Sequence, residues 1–325
     1  MTIARGELVS CEEVGVYHCI SRCVRRAYLC GYDSFSGKSF EHRRVWIRNR
    51  LSFLVELFSV EVVAYAILSN HLHSLLRLRP DVSKSWSARE VARRWRKLFP
   101  VERDPYGNAI EPTEAQIRAI ADDAEKVELY RERLSSLSWF HRCLNEKIAR
   151  SANREDGCTG RFWEGRFKSQ RVYDVGAVLA CAAYIDLNPI RAEMAKTLEG
   201  SDHTSVQDRI HSRERHRPRR CEKWAEVPLV RVEDFTQGML NEDTYITLVE
   251  QTSKAQRVGG GNIPENMFPI LRRLQLNPDA WIDTTKHFKR RFKLVVGSLE
   301  ALHQAAQKAG KHWYQGQQSA RECFC

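Results

Sequence analysis

Four side chains in this 325-residue chain have the types and spacing for chemistry on a phosphate: His71, His73, Tyr184 and Asn188. His71 and His73 stand two apart in the stretch from Val60 to Leu78, VEVVAYAILSNHLHSLLRL. Runs of β-branched, aromatic and aliphatic residues, Val60 to Leu68 and Leu72 to Leu78, flank Ser69-Asn70 there. Because Asn tolerates positive φ, the pattern predicts two strands joined by a tight hairpin. Residues two apart on a strand share a face, so both imidazoles point the same way, as a pair of metal ligands would. The competing reading is a pair of partly buried histidines without a ligand. Tyr184 lies in VLACAAYIDLNP, where Ala177, Ala180 and Cys181 occupy the preceding turns on its side. Small neighbours leave room for a bulky substrate, although this pattern by itself favours core packing of the ring. Asn188 follows one helical turn later, so its amide can face the same side as the phenol. An amide oxygen suits a hard cation such as magnesium or manganese, and two imidazoles plus one oxygen leave coordination positions open for a substrate phosphate.

These residues need a scaffold, and the order of elements supplies one. Val14 to Cys23 alternates as a first strand, with Arg22, Arg25 and Arg26 at its end. Apolar residues recur at helical spacing from about His42 to Phe58, interleaved with Arg43, Arg44, Arg48 and Arg50, which predicts an amphipathic helix with a basic outer face. The hairpin follows, then a helix over Ala88 to Leu98 capped by Ser85 or Ser87. Strand, helix, strand, strand, helix is most of a ferredoxin-like split β-α-β antiparallel sheet, an α+β fold, lacking only its final strand. Pro100 to Pro112 is a turn-rich break, and Thr113 to about Arg150 is a helical insertion. Arg166 to Tyr173 alternates like the missing strand. Asp174 stands at an N-cap position before the run Val175 to Ile185, and Pro189 ends that helix near Asn188. The chain thus divides into a core unit over residues 1–200, a basic linker over 201–220, and a mainly helical region over 221–325. The last contains a glycine break at Gly259 to Gly261 and a helix from about Ile282 to Gly310, and is an accessory or DNA-binding extension.

Lys and Arg outnumber Asp and Glu by 52 to 41, a formal charge of +11, which points to a polyanionic partner. No run of about 18 apolar residues is present to span a bilayer, so a membrane partner is not expected. Met1 to Cys11 has no apolar signal-peptide core, which places the protein in the cytoplasm. The ten cysteines lack zinc-finger spacing and read as scattered thiols.

His71-Leu72-His73, the Gly160 to Val172 segment GRFWEGRFKSQRV, and Tyr184-Ile185-Asp186-Leu187-Asn188-Pro189 followed by Arg191-Ala192 resemble the single-tyrosine HUH transposases of bacteria. Within that group they are most similar to the REP-associated tyrosine transposases, over about Val14 to Ala195. The resemblance implies a magnesium- or manganese-dependent endonuclease and strand transferase acting on single-stranded DNA in the nucleoid. Tyr184 would attack a DNA phosphorus and form a 5′-phosphotyrosine link, with the metal held by His71, His73 and Asn188. In the mobile-element branch the third ligand is typically a glutamine, and here that position is Asn188. The resemblance also implies recognition of short palindromic DNA hairpins.

For substrate contact, Arg161, Phe162, Trp163, Arg166, Phe167 and Lys168 interleave charged and aromatic groups able to clamp phosphates and stack bases. Arg22, Arg171 and Arg191 join them as candidate DNA contacts. Two other functions fit the same residues: a non-catalytic binder of hairpin nucleic acid on the same fold, and a hydrolytic nuclease using an activated water, with Tyr184 structural. A monomer and a homodimer are equally compatible with the sequence, as are a mobile and a domesticated protein.

Overall fold

The computed structural model describes residues 12–24, 29–34, 36–213, 225–257 and 263–324. Its centre is a five-stranded sheet built from β1 (Gly15–Arg22), β2 (Val60–Ile67), β3 (His71–Leu78), β4 (Lys168–Val172) and β5 (Val295–Val296), in the spatial order β2-β3-β1-β4-β5. The first four strands are antiparallel to their neighbours. That order and sense are those of the expected split β-α-β sheet, and β4 is the missing fourth strand. β5 adds a parallel edge, Arg171 opposite Val295 and Val172 opposite Val296. β1 lies at the centre, and five successive residues of its eight, Tyr17 to Ser21, are buried, with Arg22 exposed at its end.

Pairing register fixes which side chains share a face. Ile20 is opposite His73 and Arg22 is opposite His71, so these four belong to one face. Ser21 belongs to the other, where the Asn145 amide donates to its hydroxyl at 2.9 Å. Helix α1 (His42–Leu57) lies on that second face; α2 (Ala88–Leu98) packs against α1, α3 (Glu114–Ala121) and α4 (Ala124–Leu134) pack against α2, and α5 (Leu137–Glu155) packs against α1. Side-chain caps start most of them: Ser87 on α2, Thr113 in a capping box on α3, Asp123 on α4 and Ser136 on α5. The caps at Asp123 and Ser136 explain why the region over 113–150 is three helices. Its third helix reaches Glu155 and roofs the sheet.

α1 departs from the expected basic outer face. Arg43, Arg44 and Arg48 are buried. Arg43 meets Glu155 at 2.6 Å and also pairs with Asp156, while Arg48 meets Asp208 at 2.6 Å and donates to the Tyr65 hydroxyl at 2.8 Å. The guanidinium positions that alternate with apolar ones are spent on ion pairs inside the protein. Buried cations survive only with such partners.

The hairpin is present, but Asn70 does not use positive φ; the turn closes instead through the Leu68 N–H, which donates to the His71 carbonyl at 2.9 Å. On the first face of the sheet lies α6 (Val175–Asp186), followed by a short turn of helix over Asn188–Arg191. Asp174 precedes α6 without capping it, because its carboxylate accepts from the Ser298 backbone N–H instead. Part of the expected basic linker is α7 (Ser205–Arg213), with Val206, Arg209 and Ile210 buried. Residues 214–220 of the linker and the glycine break lie outside the described residues, as do Arg25 and Arg26. Segments at His203 and Val230 hydrogen-bond to β2 at Ile67 and Val62, which closes that sheet edge.

Beyond α8 (Glu242–Arg257), the expected long helix from Ile282 to Gly310 is two helices, α9 (Trp281–Arg291) and α10 (Leu299–Lys308), separated by β5. Phe292 leaves α9 in an extended conformation, and Ser298 caps α10. The β-branched pair Val295-Val296 between them joins the sheet. The C-terminal region thereby packs on the same face as α6.

Candidate active site

β3 presents His71 and His73 at the mouth and floor of a cavity of about 380 Å³. Tyr184, from α6 above the sheet, lines the same cavity, with Arg22, Arg166, Lys168 and Lys289 around it and Glu164 as the acidic lining residue. The ring centroids of His71 and His73 are 4.7 Å apart, and the Tyr184 ring meets His73 edge to face at 5.7 Å. Sequence positions 71, 73 and 184 therefore converge on one space.

A chain of hydrogen bonds sets which nitrogen of each imidazole carries the proton. The Gln170 amide nitrogen donates to the Phe292 carbonyl at 2.8 Å, which turns its oxygen toward His18 Nδ1, also at 2.8 Å. His18 Nδ1 must then be the donor, and a neutral His18 has its lone pair on Nε2. That atom lies 2.8 Å from His73 Nδ1, so His73 is the donor there and its own lone pair is on Nε2. His71 Nδ1 donates to the Asn70 side-chain oxygen, which leaves its Nε2 unprotonated in the same way. Burial holds both His18 and His71 down at about 4, and His73 well below the usual imidazole value. Near neutral pH the site thus offers two neutral imidazoles with Nε2 lone pairs, the form that ligates metals.

Two side chains hold the phenol ring. Phe288 from α9 stacks on it at 5.5 Å and 24°, and the Arg191 guanidinium lies 4.3 Å from the ring centroid. The small residues before Tyr184 thus do not leave a bare surface. They are buried, and α9 closes over the tyrosine, leaving it 8% exposed. Burial raises the Tyr184 pKa, while Arg191 and the Asn188 amide oppose that rise. Arg191 is fixed by donating to the carbonyls of Thr285 at 2.5 Å and Tyr184 at 2.7 Å, and burial lowers its own pKa to about 10.

Asn188 does not line the cavity. It sits beside the phenol, with its amide nitrogen buried and unpaired among the described residues. No group of three or more His, Cys, Asp or Glu side chains among the described residues is arranged to hold a metal ion. The two imidazoles fit a divalent ion by geometry and protonation state. Any further ligand would come from an amide, water or substrate.

The remaining predicted contacts separate. Arg22, Arg166 and Lys168 surround the cavity. Arg161 and Trp163 line an adjoining one. Arg171 faces away, over the Tyr173 ring at 4.7 Å and beside Glu13 at 3.4 Å. Phe162 and Phe167 are core residues, 2% and 6% exposed, and cannot stack on bases. Sequence reasoning gave His18 and Gln170 no role, and on the expected C-terminal helix it placed Phe288 in an apolar stripe and Lys289 among basic residues that a solvated face or a DNA-backbone contact would explain. A histidine inside the otherwise apolar strand VYHCIS was the available signal for the first. The last two come from a region with no chemical motif of its own.

No protein-family model and no curated protein matches this chain. Among solved structures, a REP-associated tyrosine transposase bound to a REP hairpin aligns with 71% of this chain and 98% of its own, with a TM-score of 0.39 and 11% identity. At that similarity a functional reading rests on the chain's own residues.

Proposed function

We propose that this protein is a metal-dependent endonuclease and strand transferase for single-stranded DNA at hairpins or palindromic repeats, with Tyr184 as nucleophile. The observation that carries the reading is the convergence of Tyr184, two neutral imidazoles and four cations on one cavity. A hydrolase acting through water alone has no use for a tyrosine beside the imidazole pair, and a passive binder has no use for the pair.

In this reading Arg22, Arg166, Lys168 and Lys289 bind the phosphates flanking the scissile bond. His71 and His73 would hold Mg²⁺ or Mn²⁺, with the Asn188 amide as the candidate third ligand. Such an ion would supply screening of the phosphate charge that builds in the transition state. Phe288 and Arg191 keep the phenol on one line of approach. The Tyr184 oxygen–phosphorus bond forms as the phosphorus–O3′ bond breaks; the phenol proton passes to water, and the leaving oxygen takes up a proton from water. The products are a 5′-phosphotyrosine link and a free 3′-hydroxyl, which can reverse the step on another end without ATP.

The test is a denaturing gel of protein incubated with end-labelled hairpin oligonucleotides and Mg²⁺ or Mn²⁺. A slow covalent band that is absent in Tyr184→Phe and in His71→Ala/His73→Ala is expected. Cleavage that persists in Tyr184→Phe without an adduct would replace this reading with a hydrolase. Hairpin binding with neither product would replace it with a binding module.

A further inference from the structure

The cavity at Tyr184 does not end at the sheet. It shares Gly165 and Arg166 with a second cavity of about 640 Å³, which in turn shares Arg142 and Glu146 with a third of about 680 Å³. The link between the first two is the segment 161–167, which runs past the end of β1. Its backbone is tied there by the Val24 N–H donating to the Phe162 carbonyl at 2.9 Å and the Glu164 N–H to the Arg22 carbonyl at 2.8 Å. Arg166 borders both cavities, and Arg161 and Trp163 lie on the far side. From there α5 carries the path along the opposite face of the sheet, to a cleft between α5, the end of α2 and Arg50 of α1.

Charge along this path is one-sided. The third cavity is lined by Arg50, Arg103, Arg142, Lys147, Arg150 and Arg154, against the single carboxylate of Glu146. Glu146 pairs with Arg150 at 2.5 Å and more loosely with Arg142 at 3.8 Å. Lys147, Arg154, Arg161 and Arg166 make no ion pair with a described residue. Burial, and then the positive field of Arg50, Arg103, Arg154 and Arg150, holds the Lys147 ammonium below its usual value. Six cations set against one carboxylate cost stability, so a cluster of this size implies an anionic occupant. Planar groups are set among the cations: half-buried Trp163 and Trp139, the latter with Arg142 4.8 Å from its ring, and Phe99, which is 41% exposed.

We infer that the three cavities form one track for a single nucleic-acid strand, leading from Tyr184 around the end of β1 to the opposite face of the sheet. Cations in file with accessible aromatic rings match a chain of phosphates carrying unpaired bases. A duplex keeps its base faces stacked and would use only the charges. The track extends the proposed function by giving the strand beyond the cleaved phosphate a place to lie, and it rests on reading the Tyr184 cavity as a DNA site.

The test uses the full chain carrying Tyr184→Phe, so that binding is read without cleavage. Fluorescence anisotropy with labelled single strands of increasing length is compared between this protein and a version that also carries Lys147→Ala, Arg150→Ala and Arg154→Ala. These three are exposed on α5, which keeps its apolar face. For strands long enough to fill the track, the triple variant should bind about 10-fold or more weakly near 0.1 M salt, with a salt slope shallower by about 2, as loss of about three phosphate contacts requires. Strands reaching only the first cavity should bind both proteins alike, and duplex should bind less tightly than single strand of equal length. In an otherwise wild-type background, covalent trapping on such short substrates should be unchanged by the triple substitution. Equal affinity and equal slope for long strands would overturn the track, as would duplex bound as tightly as single strand. Absence of any adduct in the wild type would instead overturn the role of Tyr184, and the binding comparison would still judge the track.

Discussion

His18 Nε2 lies 2.8 Å from His73 Nδ1, and this contact decides which nitrogen of His73 faces the cavity with a lone pair. The control originates at a distance. The Phe292 carbonyl orients Gln170, Gln170 orients His18, and His18 takes the Nδ1 proton of His73 in a hydrogen bond. Outer partners of this kind typically change metal affinity or activity by about 10- to 100-fold when removed. We therefore expect His18→Leu to lower Mn²⁺ affinity and adduct formation by about that factor in a folded protein. His18→Gln, which keeps an acceptor for the His73 proton, should recover part of the loss. Nitrogen NMR of the metal-free protein near pH 7 should show both His18 and His73 protonated at Nδ1. A His73 protonated at Nε2 would refute the relay.

Phe288 is the second reach of the C-terminal region into the site. Its ring is fully buried against Tyr184 and also meets His18 at 6.3 Å. Truncating a buried phenylalanine costs about 3–5 kcal/mol, and an aromatic pair adds about 0.5–1.5 kcal/mol beyond area. Phe288→Ala should therefore unfold at clearly lower denaturant. Phe288→Leu should keep most of the stability yet slow adduct formation, because an aliphatic group does not fix the plane of the phenol. Equal adduct rates for Phe288→Leu and wild type, each corrected for folded fraction, would remove Phe288 from the positioning of Tyr184.

Local pattern made most of the sheet and the three converging residues legible. Alternation over Val14 to Cys23 and Arg166 to Tyr173, and the two runs about Ser69-Asn70, gave strands that pair as expected. What failed to show was contact between distant parts of the chain. Arg43 and Arg48 read as a solvated face because their partners, Glu155, Asp156 and Asp208, lie more than a hundred positions away. Val295-Val296 read as helix because a two-residue strand is too short for alternation to register, and only the β4 edge selects it. His18 carried no motif, since a hydrogen bond to His73 depends on the register of β1 against β3. The plane of Tyr184 is likewise set from outside its own helix.

Asp186 anchors that helix. Its buried carboxylate accepts from the Ser205 hydroxyl at 2.5 Å, the Val206 N–H at 3.0 Å and the Tyr245 hydroxyl at 2.6 Å, joining α6 to α7 and α8. Removing the acceptor strands several buried donors, each at about 1–3 kcal/mol. Asp186→Ala should lower stability by roughly 3 kcal/mol or more on that basis, read as a shift in the urea midpoint. Asp186→Asn, which keeps one acceptor oxygen, should fall between it and wild type. An Asp186→Ala midpoint within error of wild type would show that water replaces the carboxylate.

Acid should weaken the fold, and the sign follows from the histidines. Folding takes His18, His71 and His203 from an ordinary value near 6.5 down to about 4, in each case chiefly by burial, and lowers His73 further in the same direction. Between pH 6.5 and 4 the unfolded chain binds protons that the folded chain refuses. Their contribution is therefore complete above pH 6.5 and is lost as pH falls toward 4, by at most about 1.4 kcal/mol per pH unit for each group. Asp186 acts oppositely. Burial raises it to about 6, so its folded form keeps a proton that the unfolded form has released, and its contribution falls as pH rises from about 4 to 6. The histidines outnumber it, and urea midpoints should be lower at pH 5 than at pH 7. Asp186→Asn removes the opposing contribution, so the drop between pH 7 and 5 should be larger in that variant than in wild type. His203→Gln, which removes one histidine away from the cavity, should make the drop smaller. Midpoints that do not change between pH 7 and 5 would mean that the imidazoles are reached by water and titrate near their ordinary values.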